Sequence, residues 1–221
     1  MQPRFSPEEC YVRVSAGEVT LDGDLCIPEQ AQGLVAFAHG SGSSRHSPRN
    51  RYVAEVLRDA GLATLLFDLL TPREEAEDIR TAALRFDINL LSQRLVGATD
   101  WLRRYEATRH LNLGYFGAST GAAAALVAAA ERADVVGAVV SRGGRPDLAA
   151  PVLGRVKAPT LLIVGGDDYP VIDMNRSALA RLQVEKKLVI IPGATHLFEE
   201  PGALEQVAEQ AKDWFIRYLA G

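Results

Sequence analysis

Cysteine is scarce in this chain of 221 residues, with Cys10 and Cys26 the only two. A small secreted scaffold held together by disulfides is therefore excluded. The chain also has no excess of positive charge, because 24 Lys and Arg stand against 28 Asp and Glu, a formal net charge of −4. A basic surface for nucleic acid or for an anionic membrane is not expected, so neither is expected as a partner.

Long hydrophobic runs are missing as well, since no apolar segment approaches the roughly 20 residues that a membrane-spanning helix requires. Residues 1–14 include Arg4 but lack the apolar region of a secretory signal. We therefore expect a soluble, cytoplasmic protein. Hydrophobic residues at 48% and charged residues at 24% are close to the average for globular proteins. Because no linker or repeat divides the chain, we predict one domain over residues 1–221 with no separate lid domain.

Two segments near the N-terminus, residues 10–15 and 18–27, alternate between apolar and polar residues. They predict a β-hairpin with one solvated face. After Pro28 the pattern changes to short continuous apolar runs, which are typical of strands buried on both faces of a parallel sheet. These runs are residues 34–38, 63–67, 113–116, 135–140, 160–164 and 188–191.

Helical patterns lie between the apolar runs. Ser47 and Pro48 are an N-cap residue followed by proline at the first helical position, and they predict a helix that stops at Gly61. The other helical segments are residues 74–105, 120–132, 173–182 and 204–219. Helices that alternate with buried strands predict a three-layer α/β fold, with a mostly parallel sheet covered by helices on both faces.

The segment Gly117-Ala118-Ser119-Thr120-Gly121 follows a predicted buried strand and runs directly into an alanine-rich helix. This is the context of a G-x-S-x-G nucleophile elbow, a strand-to-helix turn so tight that side chains two residues either side of the nucleophile would collide. Ser119 is therefore the candidate nucleophile, at a helix N-terminus that favours developing negative charge. The alternative is a glycine-lined packing joint with an incidental serine.

One of the four histidines, His196, follows Ser119 in the chain, as the order serine, acid, histidine of an elbow-based triad requires. It lies just past the last apolar run, at the strand end where ligands collect in α/β sheets. For the acid, Asp167 and Asp168 both follow the preceding run. We predict that Asp168 orients His196 and that Asp167 caps the turn or faces solvent. Asp147 stays open as a rival acid.

Residues 39–44, HGSGSS, follow the apolar run at 34–38. This position matches the loop that supplies one backbone N–H of the oxyanion hole in α/β-hydrolases, and the residue after the nucleophile supplies the other. We predict the N–H groups of Ser41 and Thr120 as the two donors. Gly42 is the alternative to Ser41.

The glycines of this loop, Gly40 and Gly42, allow the backbone to approach a substrate oxygen closely, so we predict that they line the substrate site. Tyr169 is a further candidate for substrate contact. A dinucleotide-binding fingerprint that begins with the same glycines is disfavoured, because Arg45 occupies the place of the third glycine. His39 is expected to hold the loop through hydrogen bonds of its ring.

With these residues placed, the chain resembles the α/β-hydrolase superfamily, and within it the compact dienelactone-hydrolase-like serine hydrolases. The resemblance covers nearly the whole chain and is carried, in order, by HGSGSSRHSPRN, FDLLTPREE, LRFDINLL, GYFGAST, SRGGRPDL, LLIVGGDDYPV and PGATHLFEEPG. It implies an eight-stranded sheet whose first one or two strands are antiparallel. It also implies a triad of Ser119, Asp168 and His196 on loops at the strand carboxyl ends. Dienelactone hydrolases themselves use a cysteine nucleophile, so the serine favours a general esterase.

The functional hypothesis is a serine esterase that cleaves short-chain, water-soluble carboxylic esters through an acyl-enzyme. A lipase is disfavoured because the segment after residue 68 is charged rather than an apolar lid. Thioesterase, amidase, lactone or dienelactone-type hydrolase and peracid-forming activities would use the same residues and stay open, as does a non-catalytic binding module on this fold.

No metal or other cofactor is expected, and the expected partner is a small-molecule ester. The chain is expected to be a monomer or a homodimer. Three arginines, Arg85, Arg142 and Arg145, are candidates for contact with an acidic substrate. The alternative for these arginines is solvated charge or hydrogen bonds that hold loops.

Overall fold

A single eight-stranded sheet organises the part of the chain that the structure, a computed structural model, describes, residues 9–220. The strands are Glu9–Ala16 (β1), Val19–Cys26 (β2), Leu34–Ala38 (β3), Ala63–Phe67 (β4), Leu113–Ala118 (β5), Val136–Arg142 (β6), Thr160–Gly165 (β7) and Lys186–Ile191 (β8). Their order across the sheet is β1-β2-β4-β3-β5-β6-β7-β8. The pairs β1–β2 and β2–β4 are antiparallel, and the other pairs are parallel. The prediction of a mostly parallel sheet with an N-terminal antiparallel hairpin is confirmed.

Helices cover both faces of this sheet. They are Pro48–Asp59 (α1), Pro72–Thr81 (α2), Ile88–Arg104 (α3), Thr120–Glu131 (α4), Tyr169–Arg181 (α5) and Ala203–Leu219 (α6). The apolar side chains of α1 and α6 share one buried cluster with one face of the sheet, whereas those of α3 and α4 belong to the cluster on the other face. The predicted three-layer α/β fold is therefore confirmed.

The long helical segment predicted over residues 74–105 is two helices in the structure. The first begins two residues earlier than predicted, because Thr71 and Glu74 form a reciprocal capping box. It ends where Ala82 adopts a left-handed conformation with φ of 53°. The second helix begins after Asp87, whose side chain accepts a hydrogen bond from the first turn. The charged sequence favours helix throughout, so only these local caps divide it.

Two further differences lie near the carboxyl ends of β6 and β7. A 3₁₀ helix over Pro146–Arg155 follows β6, in a segment that is not among the predicted helices. The helix predicted over 173–182 begins earlier, at Tyr169, since Pro170 is tolerated in the first helical turn. Asp168 is consequently the N-cap residue of α5, which places its side chain at the edge of the sheet.

Burial on both faces explains the continuous apolar runs of the central strands. Every residue of β3, β4, β5 and β7 is buried, as expected for parallel strands between two helical layers. The carboxyl ends of the parallel strands lie at one edge of the sheet, and the loops that leave this edge carry the candidate site. Among residues 9–220, no helix combines the length and the apolar character that crossing a membrane requires.

Candidate active site

Ser119 lies in a strained turn between β5 and α4. Its backbone angles, φ of 52° and ψ of −120°, are unfavourable for a residue with a β-carbon and are found where a surrounding structure enforces them. A β-carbon on Gly121 would lie 2.2 Å from the carbonyl oxygen of Ala38, and one on Gly117 would lie 2.4 Å from Ala122 Cα. Both glycines are therefore required by close packing, as the G-x-S-x-G pattern predicts.

The loop after β3 runs directly past this turn. A β-carbon on Gly40 would lie 3.1 Å from Ser119 Cβ, so the backbone of the loop approaches the serine closely. The hydroxyl oxygens of Ser41 and Thr120 are 2.9 Å apart. Thr120 is the first residue of α4, so its N–H belongs to the helix end that has no intrahelical acceptor. The structure thus brings the two predicted oxyanion-hole residues together beside Ser119.

Asp168 and His196 meet on the loops after β7 and β8. His196 Nδ1 lies 2.7 Å from Asp168 Oδ2. A carboxylate only accepts hydrogen bonds, so Nδ1 carries the proton and Nε2 is the nitrogen with a free lone pair. Ser119 Oγ and His196 form no hydrogen bond in this structure, and this contact is often long in the absence of substrate.

The other two aspartates are placed differently. Asp167 is exposed, as predicted. Asp147 forms a two-pronged ion pair with Arg145, with nitrogen–oxygen distances of 2.9 and 2.8 Å. Hydrogen bonds from Arg145 lower the pKa of Asp147, so this carboxylate is already neutralised by an adjacent arginine. The structure therefore brings Asp168, and not its rival, to His196.

Comparison with known proteins places this arrangement in a family. The model of the dienelactone hydrolase family matches residues 21–219. The chain belongs to the dienelactone hydrolase family. Its fold is also close to that of a dienelactone hydrolase from Anabaena variabilis, with 68% identity, coverage of 96% of this chain and 99% of that chain, and a TM-score of 0.96.

Other proteins similar to this family member carry other names. An α/β serine hydrolase without lid from Xanthomonas campestris, XC6422, has 21% identity over 100% of this chain and 99% of its own, with a TM-score of 0.75, which shows the fold alone. Two Mycobacterium tuberculosis proteins, provisionally named phosphoribosyl transferases, are 61% identical over 219 residues. This family member spans about half of their length, since the match covers 99% of this chain and 48% of each relative.

His39 holds the loop after β3 of this dienelactone hydrolase family member to the loop after β4. The backbone N–H of Leu69 donates to His39 Nε2 at 3.1 Å. The proton therefore resides on Nδ1, which lies 3.0 Å from the carbonyl oxygen of Gly40 and donates to it. The ring is buried, and burial lowers the pKa of His39.

This neutral, buried ring makes the stability of the protein depend on pH. In the unfolded chain His39 takes up a proton near pH 6.5, whereas the folded protein resists protonation. The contribution of His39 to the free energy of unfolding is complete above that pH and is lost as pH falls below it. The free energy of unfolding then falls by at most about 1.4 kcal/mol per pH unit. We expect His39→Gln to reduce this slope in urea unfolding between pH 5 and 8. Equal slopes for the two proteins would contradict the assignment.

A small cavity lies beside the loop after β3 of this family member, and its walls include Gly40, Ser41, Gly42 and Arg85. Both glycines thus line this cavity, whereas Tyr169 is 69% exposed and lies outside its wall. That these residues contact substrate stays a prediction.

The carboxylate behind this cavity was not identified from the sequence. Asp78 is 1% exposed and accepts the Arg85 Nε–H at 2.6 Å together with the backbone N–H groups of Leu84 and Arg85. It therefore anchors Arg85 against the cavity. In the sequence Asp78 is one of many charged residues of a helical segment, where a solvated position is the ordinary expectation.

Arg142 differs from the other two arginines that the sequence singled out. Arg85 and Arg145 have the carboxylates of Asp78 and Asp147 as partners. Arg142 is 7% exposed and forms no ion pair with any residue among 9–220. Burial, together with the nearby charge of Arg49, lowers the pKa of Arg142 to about 10.

Proposed function

We propose that this member of the dienelactone hydrolase family is a serine esterase that hydrolyses short-chain carboxylic esters through an acyl-enzyme on Ser119. The observation that carries the proposal is the 2.7 Å hydrogen bond between Asp168 and His196, at the sheet edge that also carries the strained Ser119. A nucleophile, a base and a group that orients the base are the components of a catalytic triad.

In the first step His196 Nε2 takes the proton of Ser119, and Ser119 Oγ attacks the carbonyl carbon of the ester. Asp168 holds the imidazole in the required tautomer and stabilises the imidazolium that forms. His196 then donates the proton to the leaving alcohol, and the acyl group remains on Ser119. Water enters, His196 removes its proton, and the water oxygen attacks the acyl carbon. The bond from Ser119 Oγ to the acyl carbon then breaks, the acid leaves, and His196 returns the proton to Ser119 Oγ.

The tetrahedral intermediate of each step carries a negative oxygen. Backbone N–H groups of Ser41 and Thr120 bind this oxygen, since the two residues face each other beside Ser119. One such donor contributes about 2.7–4 kcal/mol to the stabilisation of the transition state in comparable sites.

The name of the mycobacterial relatives does not change this proposal. It belongs to proteins about twice as long as the matched segment. The residues described here supply a nucleophile, a base and oxyanion donors, which are the requirements of acyl transfer to water.

A panel of p-nitrophenyl esters with acyl chains of two to twelve carbons tests the substrate class. We expect kcat/KM to be highest for the shortest chains, because the helix after β4 is largely charged and Ile79 is its one exposed large apolar side chain. A fluorophosphonate that reacts with activated serines is expected to label Ser119, identified by peptide mass spectrometry. Absence of both hydrolysis and labelling would contradict the proposal, and turnover of thioesters in preference to esters would reassign the acyl donor.

A further inference from the structure

The guanidinium of Arg142 lacks the partners that a buried charge normally has. Nε and Nη1 are sealed from solvent without any hydrogen-bond partner. Its one hydrogen bond among residues 9–220 is long, 3.4 Å from Nη2 to Asn50 Oδ1. A buried cation without a carboxylate or several acceptors is unfavourable for folding. Such a group in a folded protein calls for an explanation, and a bound anion supplies one.

A second arginine stands beside this group. The charge of Arg49 is close enough to act on Arg142, and its one ion pair among residues 9–220 is with Glu199, at 3.0 Å. Glu199 is 65% exposed at its side chain, so this surface ion pair is weak and easily exchanged. Arg49 Nε is also sealed without a hydrogen-bond partner. Arg142, Arg49 and Glu199 therefore form a cluster with two positive charges and one carboxylate that an anion could displace.

The cluster borders the catalytic residues. Arg142 is the last residue of β6, and its carbonyl oxygen accepts the N–H of Ser119 at 3.1 Å. Its guanidinium lies over the ring of Phe198 with 5.9 Å to the ring centroid. Phe198 follows His196 by two residues, is 1% exposed and adopts a left-handed conformation with φ of 57°. The loop of the proposed base thus covers the arginines.

We propose that Arg142, Asn50 and Arg49 form a subsite for a phosphate monoester group of the substrate, and that Glu199 occupies the anion's place on Arg49 until substrate binds. The proposal rests on the proposed function, because it assigns a substrate class to the same site.

A phosphate monoester fits this subsite better than a carboxylate does. It carries a charge of about −1.5 to −2 at neutral pH and three acceptor oxygens, which match two guanidinium groups once Glu199 is displaced. Arg142 keeps N–H donors on Nε and Nη1 without partners, and a guanidinium binds two oxygens of one phosphate through adjacent N–H groups. A carboxylate offers two oxygens and a single charge.

Inorganic phosphate is the probe for this subsite. We expect phosphate, at constant ionic strength set with NaCl, to raise the melting temperature of the whole chain and to inhibit hydrolysis of p-nitrophenyl acetate competitively. Acetate at the same concentration is expected to do neither. An equal effect of acetate, or inhibition that is not competitive, would overturn the assignment of a substrate phosphate subsite.

Arg142→Gln removes the charge at the centre of the subsite. We expect it to raise the inhibition constant of phosphate by roughly tenfold to a hundredfold, the loss of one or two charge-assisted hydrogen bonds. The matched control is Arg176→Gln, which removes a charge from an exposed residue whose ion pair with Asp173 lies within α5. An unchanged inhibition constant in Arg142→Gln would overturn the proposal.

Two further variants keep the test decisive if Arg142→Gln does not fold. Asn50→Asp adds a carboxylate beside Arg142, so we expect a higher melting temperature without phosphate and loss of the response to phosphate. Glu199→Gln removes the competing carboxylate and is expected to lower the inhibition constant of phosphate roughly two- to fivefold. Effects of opposite sign would overturn the proposal.

Failure of the subsite and failure of the esterase proposal are separate outcomes. Binding of phosphate to the Ser119→Ala variant, measured by calorimetry and melting temperature, needs no catalysis. Binding there without ester hydrolysis in the wild type would retain the anion site and overturn the esterase. Hydrolysis without phosphate binding would overturn the subsite alone.

Discussion

Replacement of Ser119 by alanine is expected to lower kcat for p-nitrophenyl acetate by about 10⁶-fold, the loss seen when the nucleophile of comparable triads is removed. Alanine retains the β-carbon and the backbone conformation at φ of 52° but has no oxygen to form the acyl-enzyme. The base and the oxyanion donors then act on water alone, which leaves a small residual rate. Steady-state kinetics with purified wild type and variant measure the difference.

The control for this experiment is Ser177→Ala, which removes a hydroxyl from an exposed position of α5. It is expected to leave kcat unchanged, and both variants are expected to retain the far-UV circular dichroism spectrum of the wild type. Equal activity of Ser119→Ala and the wild type would mean that another residue is the nucleophile.

Replacement of Asp168 by asparagine is expected to lower kcat by about 10⁴-fold, since an amide in this place stabilises the wrong tautomer of the base. The amide nitrogen would donate to His196 Nδ1, across the contact that measures 2.7 Å in the wild type. The proton of the imidazole would then reside on Nε2, and the ring could not accept the proton of Ser119. KM is expected to change little, because Asp168 acts through His196 rather than on the substrate.

Asp147→Asn and Asp167→Asn are the matched controls for this substitution. Asp147 accepts two hydrogen bonds from Arg145, and Asp167 is exposed. Neither substitution is therefore expected to lower kcat as much as Asp168→Asn does. A loss of about 10⁴-fold in Asp147→Asn, with Asp168→Asn unaffected, would make Asp147 the orienting acid. Loss in both would mean that the two loops cooperate in holding His196.

The periodicity of the sequence is sufficient to predict the layers of the fold. Continuous apolar runs arise because the central strands are buried on both faces, and the alternating segments arise because the N-terminal hairpin has one solvated face. These are properties of a strand and its immediate surroundings, so the composition of a few residues reveals them. The boundary between α2 and α3 was missed, because one left-handed alanine, Ala82, and the N-cap residue Asp87 divide a segment rich in helix-favouring residues.

The nucleophile elbow is also recognisable in a short stretch of sequence. Glycine two residues before and after a serine, between a buried run and a small-residue helix, is its pattern, although the contact that requires Gly121 is with Ala38 at the end of β3. His196 was identified by its order in the chain, since it alone among the histidines follows Ser119. For these residues the backbone sterics of a short segment, or chain order, carry the information.

The partners of charged side chains, in contrast, were decided only by the tertiary structure. The sequence pattern does not separate Asp168 from the adjacent Asp167 or from Asp147. In the structure α5 begins at Tyr169 and Asp168 meets His196, whereas Asp147 pairs with Arg145. The environment of Arg142 is likewise evident only in the folded chain, where Asn50 of α1 and Phe198 of the His196 loop lie against its guanidinium. Side-chain pairing depends on the direction of each side chain and on segments far apart in the chain, so the sequence determined the fold and the candidate nucleophile, and the folded chain decided which charges meet.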